Sequence, residues 1–297
     1  YGYVGVGGGG GGGGCTSSCN GGVGTGNSSN GGNGGQGVLT VSGSTLTVNQ
    51  SMLVGGSGGG GGGNAQGGSG GAGTLVLQSG ATLAVGDTLL IGGSGGGGGG
   101  LYTSSTGGAG GTGTVTVDYN SAITMANGAN LILGGANGTA SSGAGGGGST
   151  GTLNLGGTLT LTGASATINA GSVLNLTDGT ATDRIIGGTI ANNGRLNFQQ
   201  ADDIRILADI SGSGVISQQG RGNTILAGGI SGSGALQLTG SGTLILAGTD
   251  SSTGGTFIDS GATLQIGNGG TAGTLSSGSV TDNGTLAFAR SDTLTVA

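Results

Sequence analysis

The side chains that could carry out acid–base or metal chemistry are few in this sequence. Its 297 residues include no histidine, and the five basic and eleven acidic residues are all arginine and aspartate. Without histidine, lysine or glutamate, the chain cannot form a Ser–His pair, a histidine-ligated metal site or a lysine Schiff base. The sequence therefore predicts a protein that is not an enzyme and that holds no cofactor and no metal.

Most of the charge lies in the second half of the chain, where five aspartates fall close together. They are Asp178, Asp183, Asp202, Asp203 and Asp209. Carboxylates are calcium ligands, so a calcium site is one interpretation. Because Arg184 and Arg205 lie in the same stretch, we expect solvated carboxylates that pair with these arginines instead.

The two cysteines, Cys15 and Cys19, are separated by three residues. A single such pair without histidine lacks the four ligands of a structural zinc site. The pattern predicts a disulfide between them and hence an oxidising compartment. A reduced, inert pair is the alternative.

Net charge and hydropathy exclude several partners. The formal charge is −6, and the isoelectric point is about 4.1, which argues against binding to nucleic acid or to an anionic membrane. No run of about eighteen apolar residues is present, so we expect no membrane-spanning helix. The first ten residues do not resemble a signal peptide, and the chain is expected to be an excised or mature fragment.

Internal repeats dominate the first half. VLTV at 38–41, TLVL at 74–77, TVTV at 114–117 and TLNL at 152–155 start successive cassettes. In the first three cassettes, apolar residues at i and i+2 alternate with small polar ones over three short runs, which is the pattern of half-buried β-strands. Nothing has the 3.6-residue period of a helix.

A glycine-rich excursion follows the third strand of each of these cassettes, at 55–73, 92–113 and 134–151. Composition alone favours a flexible spacer. The repetition favours an ordered glycine-rich lamella, in which stacked excursions bond through their backbones. Tyr102 and the adjacent Leu101, at the tip of the second excursion, are the predicted contact residues for a partner.

In the second half the excursions stop and the period shortens to about twenty residues, as in the ISGSG blocks at 210–214 and 230–234. Three short strands and three corners in about twenty residues make one coil of a parallel β-solenoid. The sequence predicts an all-β parallel β-helix with stacked glycine-rich loops in the N-terminal half. We divide it into 1–37, with the cysteine pair; 38–151, coils with long loops; and 152–297, coils of about twenty residues.

The stretch 240–270 reads GSGTLILAGTDSSTGGTFIDSGATLQIGNGG and is followed by GTLSSGSVTDNGTLAFARSDTLTVA at 273–297. It resembles the passenger-associated repeat of bacterial autotransporters in its glycines, in Leu244, Leu246 and Leu264, and in the Thr253–Thr256 turn. It departs from that repeat at Asp250, Ser251 and Ser252, where the family usually has Asn-Thr-Tyr. The resemblance is close over about sixty residues and does not cover 1–151.

This resemblance implies a right-handed parallel β-helix, secreted to the bacterial cell surface and attached to the outer membrane through a C-terminal β-barrel outside this sequence. The expected function is that of a non-enzymatic adhesin that binds a host or neighbouring cell, with self-association possible. The alternative is a structural filament or biofilm matrix protein that assembles by solenoid stacking.

Overall fold

Three parallel β-sheets make up the solenoid in the computed structural model, which describes residues 3–11, 14–15, 28–61, 65–98, 105–139 and 144–293. No helix occurs among these residues. Two sheets have ten strands each and the third has seven, and the pairing within all three is parallel. The predicted parallel β-helix is therefore confirmed.

The strands are assigned to the sheets as follows. Sheet 1 consists of Gly37–Ser42, Gly73–Gln78, Gly113–Val117, Gly151–Leu155, Val173–Leu176, Arg195–Phe198, Val215–Gln218, Ala235–Leu238, Thr256–Ile258 and Val280–Asp282. Sheet 2 consists of Thr45–Val48, Thr82–Val85, Ala122–Met125, Thr158–Thr160, Asp183–Ile186, Ile204–Ile206, Thr224–Leu226, Thr243–Leu246, Thr263–Ile266 and Thr285–Phe288. Sheet 3 consists of Tyr3–Val6, Ser51–Val54, Thr88–Ile91, Asn130–Leu133, Ser165–Ile168, Thr189–Asn192 and Asp209–Ser211. A separate antiparallel pair joins Gly14–Cys15 to Ser28–Ser29.

Each coil contributes one strand to sheet 1 and the next to sheet 2, and the inward side chains of successive coils stack in columns. In sheet 1, Leu75, Val115 and Leu153 are aligned and fully buried. These columns form one continuous aliphatic core. Because parallel strands lie about 4.8 Å apart, each inward residue contacts its equivalents above and below. A chain with only 2% aromatic residues can therefore close its core with aliphatic side chains.

A glycine ladder recurs at one corner of the coils in the second half. A Cβ added at Gly234 would lie 2.3 Å from the carbonyl oxygen of Gly214, and one at Gly254 would lie 2.0 Å from that of Gly234. A side chain at this corner would separate adjacent coils, so glycine recurs there in each coil.

The third side of the solenoid changes along its length. Sheet 3 ends at Asp209–Ser211, and beyond it only isolated bridges join Ile210 to Ile230 and Ile230 to Asp250. In the first half the glycine-rich excursions leave from the corner between sheet 3 and sheet 1. The excursions predicted at 55–73, 92–113 and 134–151 each end one residue earlier, since Gly73, Gly113 and Gly151 are the first residues of sheet 1 strands. The three-part division of the chain stays a prediction.

Candidate functional site

The glycine-rich excursions form a two-layered lamella beside the solenoid. Its outgoing layer consists of 7–11, 55–61, 92–98 and 134–139, and its returning layer consists of 30–36, 65–72, 105–112 and 144–150. The first residue of each excursion, at Gly7, Gly55, Gly92 and Gly134, has φ between 89° and 111°. Side chains rarely adopt this left-handed backbone conformation, so glycine allows the chain to turn out of sheet 3.

Backbone hydrogen bonds join the two layers. The N–H of Gly59 donates to the carbonyl of Gly68 in its own excursion (2.7 Å), and Gly68 donates to Gly11 of the preceding excursion (2.8 Å). Gly108, in the following excursion, donates to Gly59 (2.8 Å). Each excursion is thus bonded both to itself and to its neighbour.

Further bonds connect neighbouring segments within each layer. In the outgoing layer, Gly58 donates to Ser94 and Gly95 donates to Ala136, both at 2.8 Å. Gly70 donates to Ala109 in the returning layer, also at 2.8 Å. The stacked excursions are therefore an ordered array and not a spacer.

These hydrogen bonds recur every three residues, which is also the period of a polyproline II chain. Such a chain has no internal hydrogen bonds, so its backbone N–H and C=O groups are available to neighbouring segments. Only one residue in three has space for a side chain. A Cβ at Gly56 or Gly59 would lie 1.8 or 2.1 Å from a carbonyl oxygen of the adjacent excursion, whereas a Cβ at Gly60 meets nothing closer than 3.4 Å. Ser57 occupies the position three residues before Gly60. The Gly-Gly-x pattern of the excursions follows from this packing.

The returning layer presents small, uncharged side chains to solvent. Its exposed residues are Asn30, Asn33, Gln36, Gln66, Ser69, Ala109, Thr112, Ala144 and Thr150. The side-chain oxygens of Asn30 and Asn33 accept hydrogen bonds from the backbone N–H of Gln66 and Ser69 (3.1 and 2.9 Å). These amides fix the first returning segment to the second.

The far ends of the described segments meet at one edge of the lamella. Gly61 pairs with Gly98, and Gln66 pairs with Thr106, which pairs with Ala144. The tip sequences 62–64, 99–104 and 140–143 follow from this edge and lie outside the described residues, so the predicted contact residues Leu101 and Tyr102 do too. Cys19 also lies outside them. The backbone of Cys15 pairs with Ser28, and the disulfide stays a prediction.

The charged residues of the second half do not gather into a metal site. Among the described residues, no group of three or more acidic, cysteine or histidine side chains could hold an ion. The expected pairing is found for Arg205, whose guanidinium binds both carboxylate oxygens of Asp183, at 2.7 and 3.0 Å. The hydrogen bonds from Arg205 hold the pKa of Asp183 below its usual value.

The expectation that Arg184 pairs with a solvated carboxylate was wrong. The register of sheet 2 shifts between Asp183 and Ile185, and such a bulge redirects a side chain. Arg184 therefore turns inward and is fully buried. Its Nε donates to the Gly157 carbonyl (2.8 Å), and its Nη2 donates to the carbonyls of Thr177 (3.0 Å) and Leu155.

Burial lowers the pKa of Arg184, and the nearby carboxylates of Asp202 and Asp178 oppose this effect. Those two carboxylates accept hydrogen bonds from the backbone N–H of Gly179 and Ala201, both at 2.6 Å. Arg184, Asp178 and Asp202 thus hold together the corner between sheets 1 and 2, which is a structural role.

Two features were not found from the sequence. Tyr119 is an exposed aromatic residue, at 55% exposure, on the turn that follows Gly113–Val117. Asp250 is only 4% exposed and continues the inward column of Ile210 and Ile230. The burial of Asp250 could have been inferred from the twenty-residue repeat, because Asp250 follows Ile210 and Ile230 at that spacing.

No helix in the described part of the chain is long and apolar enough to cross a membrane. No family model matches the chain, and no curated protein matches it. Among solved structures, it is similar to a hyper-glycosylated TibA fragment whose glycosylation is catalysed by TibC. The two are 14% identical over 84% of this chain and 94% of that chain, with a TM-score of 0.18. The passenger-associated repeats remain a prediction from residues 240–297.

Proposed function

We propose that this chain is a non-enzymatic adhesin domain of a bacterial surface protein, and that the lamella presents the excursion tips to another surface. The observation that carries the proposal is the bonded edge at which Gly61 pairs with Gly98 and Gln66 with Thr106. The described segments end side by side at this edge, and this arrangement suits several simultaneous contacts with a repetitive host or neighbouring-cell surface.

Rigid support favours this role over that of a spacer. A flexible binding loop loses conformational entropy when it binds, and preorganisation reduces that loss. The backbone bonds of Gly59, Gly68 and Gly108 hold the bases of the tips in register. The bases repeat the same Gly-Gly-x pattern, but the tips differ: residues 62–64 are Gly-Gly-Asn, whereas 99–104 are Gly-Gly-Leu-Tyr-Thr-Ser. Sequence variation on a constant support is typical of recognition loops.

Tyr102 and Leu101 supply the apolar contact in this proposal. Aromatic residues provide large contact areas with two torsion angles to immobilise, and they are enriched among residues that dominate binding energy. No other large apolar side chain occurs in the three tip sequences. The absence of histidine, lysine and glutamate supports binding without catalysis.

We expect Tyr102→Ser to weaken adhesion of cells or beads that display this chain by about thirtyfold, the equivalent of losing a ~2 kcal/mol contact. The measurement is retention under flow on the target surface. Tyr119→Ser is the matched control, because Tyr119 is exposed on a solenoid corner, and it should retain full adhesion. Equal adhesion of Tyr102→Ser and the unaltered chain would contradict the role of the tips.

A filament is the second candidate function. Val280 and Phe288 continue the inward columns of Thr256 and Ile266 in the last coil, yet they are 37% and 47% exposed. Open strand edges and exposed core residues are templates for another coil. If coils of separate molecules stack, electron microscopy should show fibres that shorten on Phe288→Ser substitution. Monomers at all concentrations would exclude this function.

A further inference from the structure

The lamella has unused backbone acceptors on the side formed by its first returning segment, 30–36, which we call the open side. In the later returning segments, the third residue of each Gly-Gly-x unit accepts a backbone hydrogen bond from the segment before it. The carbonyl of Ser69, for example, accepts from the N–H of Gly34 (2.7 Å). The corresponding carbonyls of the open side, those of Asn33 and Gln36, accept no hydrogen bond from the part of the chain that the structure describes. Both residues are exposed, so a row of backbone acceptors faces water.

Glycine also recurs on the open side where no described contact requires it. A Cβ at Gly71 would lie 1.8 Å from the carbonyl oxygen of Gly35, and one at Gly111 would lie 2.0 Å from that of Gly71. Later segments thus need glycine at this position because the preceding segment lies against it. Gly35 occupies the same position in the first segment, yet a Cβ there meets nothing within 4 Å, and the same holds for Gly32. Gly32 and Gly35 are exposed, whereas Gly71 and Gly111 are buried.

The opposite side of the lamella is closed by a side chain of its own excursion. It is formed by the last returning segment, 144–150. The N–H of Gly110, in the segment before it, donates to the Gly147 carbonyl (2.9 Å). The corresponding N–H of the last segment, that of Gly148, donates to Oδ1 of Asn137 (2.7 Å). The array is therefore capped on this side, while the open side keeps its acceptors free.

The open side continues into the edge of the solenoid. Segment 30–36 runs directly into Gly37–Ser42, the strand at one edge of sheet 1. The next segment, 65–72, runs in the same way into Gly73–Gln78, which pairs with that strand. Val38 of the edge strand is 73% exposed. Because an exposed strand edge can add another strand, a chain that fits the open side has a glycine-rich part followed by a short strand.

We propose that the open side binds a glycine-rich segment of another protein, which adds one more polyproline II segment to the array. Its N–H groups would reach the carbonyls of Asn33 and Gln36, which a polyproline II chain spaces about 9 Å apart. The partner also needs Gly-Gly-x repeats. A Cβ at Gly34 would lie 2.7 Å from the backbone nitrogen of Gly71, so the corresponding residue of the partner must be glycine. The interface is the one that already joins adjacent excursions, continued by one segment.

A second copy of this chain does not offer such a segment. The N–H groups that would have to donate are already used within each lamella, as that of Gly34 is toward Ser69 and that of Gly148 is toward Asn137. The partner is therefore a different chain with a free Gly-Gly-x segment. The open side is separate from the excursion tips, so this binding does not depend on the proposed adhesion.

A synthetic peptide that copies residues 30–42 is the probe, because it has Gly-Gly-x repeats followed by a strand and its N–H groups are free. Titration of this peptide into the whole chain, labelled with ¹⁵N, should shift the amide resonances of Asn33 and Gln36. Resonances of 144–150 should not move, because that side is capped. We expect a Kd of about 1 mM or tighter.

Gly35→Ala should block this binding without disturbing the lamella. Its Cβ has nothing within 4 Å in the chain, so amide protection of the lamella should be unchanged. The methyl group would, however, occupy the place of the partner's carbonyl, as the 1.8 Å distance at Gly71 shows. We expect the peptide to bind at least about tenfold more weakly. Gln36→Ser is the matched control, because the third position has space for a side chain, and it should bind the peptide as the unaltered chain does.

Three results would overturn the proposal. The first is equal binding of the peptide by Gly35→Ala and the unaltered chain. The second is the absence of shifts in 30–36 at a peptide concentration of about 10 mM, well above the expected Kd. The third is a monomer–dimer equilibrium in sedimentation that Gly35→Ala abolishes, since a second copy would then occupy the open side.

Discussion

Gly59→Ala is expected to disrupt the glycine lamella while leaving the solenoid folded. The added Cβ would lie 2.1 Å from the carbonyl oxygen of Gly11. The backbones of Gly59 and Gly11 are both fixed by hydrogen bonds to adjacent segments. Relief requires the excursions of Gly11 and Gly59 to separate, which breaks the bonds of Gly10 to Ser57 and of Gly68 to Gly11. Two backbone hydrogen bonds and the steric strain together amount to about 3 kcal/mol.

Hydrogen exchange provides the measurement for Gly59→Ala. Amide protection in 7–11 and 65–72, which contain the donors Gly10 and Gly68, should fall by about a hundredfold, the equivalent of that energy. Amides of the sheets should remain protected, because their columns do not pass through the lamella. The adhesion proposed for the tips should decrease in parallel, since their bases lose register.

Gly60→Ala is the matched control, one residue away in the same glycine run. Its Cβ would approach nothing closer than 3.4 Å, and Gly60 occupies the third position of the pattern, where Ser57 already carries a side chain. Its amide protection should equal that of the unaltered chain. If both variants lost protection alike, glycine content and not the three-residue packing would explain the order of the lamella.

The solenoid could be predicted from the sequence because its signals are local and repeated. Alternation of Val115 and Val117 with Thr114 and Thr116 placed a strand directly, and the spacing of the ISGSG blocks set the length of a coil. The lamella was harder to predict, since glycine has no side-chain pattern and either an array or a spacer has the same composition. In the returning segment 30–36, Asn30, Asn33 and Gln36 recur at every third position. This three-residue period becomes interpretable once the bonds between segments are seen.

The polar core could not be predicted because it depends on departures from the repeat. Arg184 follows Asp183 on a strand of sheet 2. A shift of one residue in the register of this strand decides whether the Arg184 side chain faces the core or the solvent. Charge alone favours solvent for such a residue. The irregular strand pairing in sheet 2 reverses this expectation. Neither the composition of the sequence nor the spacing of its apolar residues indicates this irregular pairing.

Arg184→Met should destabilise the solenoid by about 3–5 kcal/mol, because carbonyls buried around the guanidinium lose their charged donor at about 1–3 kcal/mol each. Methionine fills much of the same volume, but it cannot donate to the carbonyls of Gly157 and Thr177, which lie at 2.8 and 3.0 Å from the guanidinium. The substitution also leaves Asp178 and Asp202 without their neighbouring positive charge. Equilibrium unfolding in urea, followed by circular dichroism, measures the loss.

Arg205→Met is the control that shows whether the loss of stability in Arg184→Met is specific to Arg184 or common to arginines of sheet 2. Arg205 lies on the next strand, and its ion pair with Asp183 is solvent-exposed, with side chains 45% and 35% accessible. Exposed pairs contribute little to stability because water and salt screen them. The midpoint of unfolding should therefore shift strongly for Arg184→Met and hardly at all for Arg205→Met. Equal shifts would mean that the contacts of Arg184 with buried carbonyls do not stabilise this corner. The bulge at Asp183 to Ile185 would then form for a reason other than the placement of the Arg184 guanidinium.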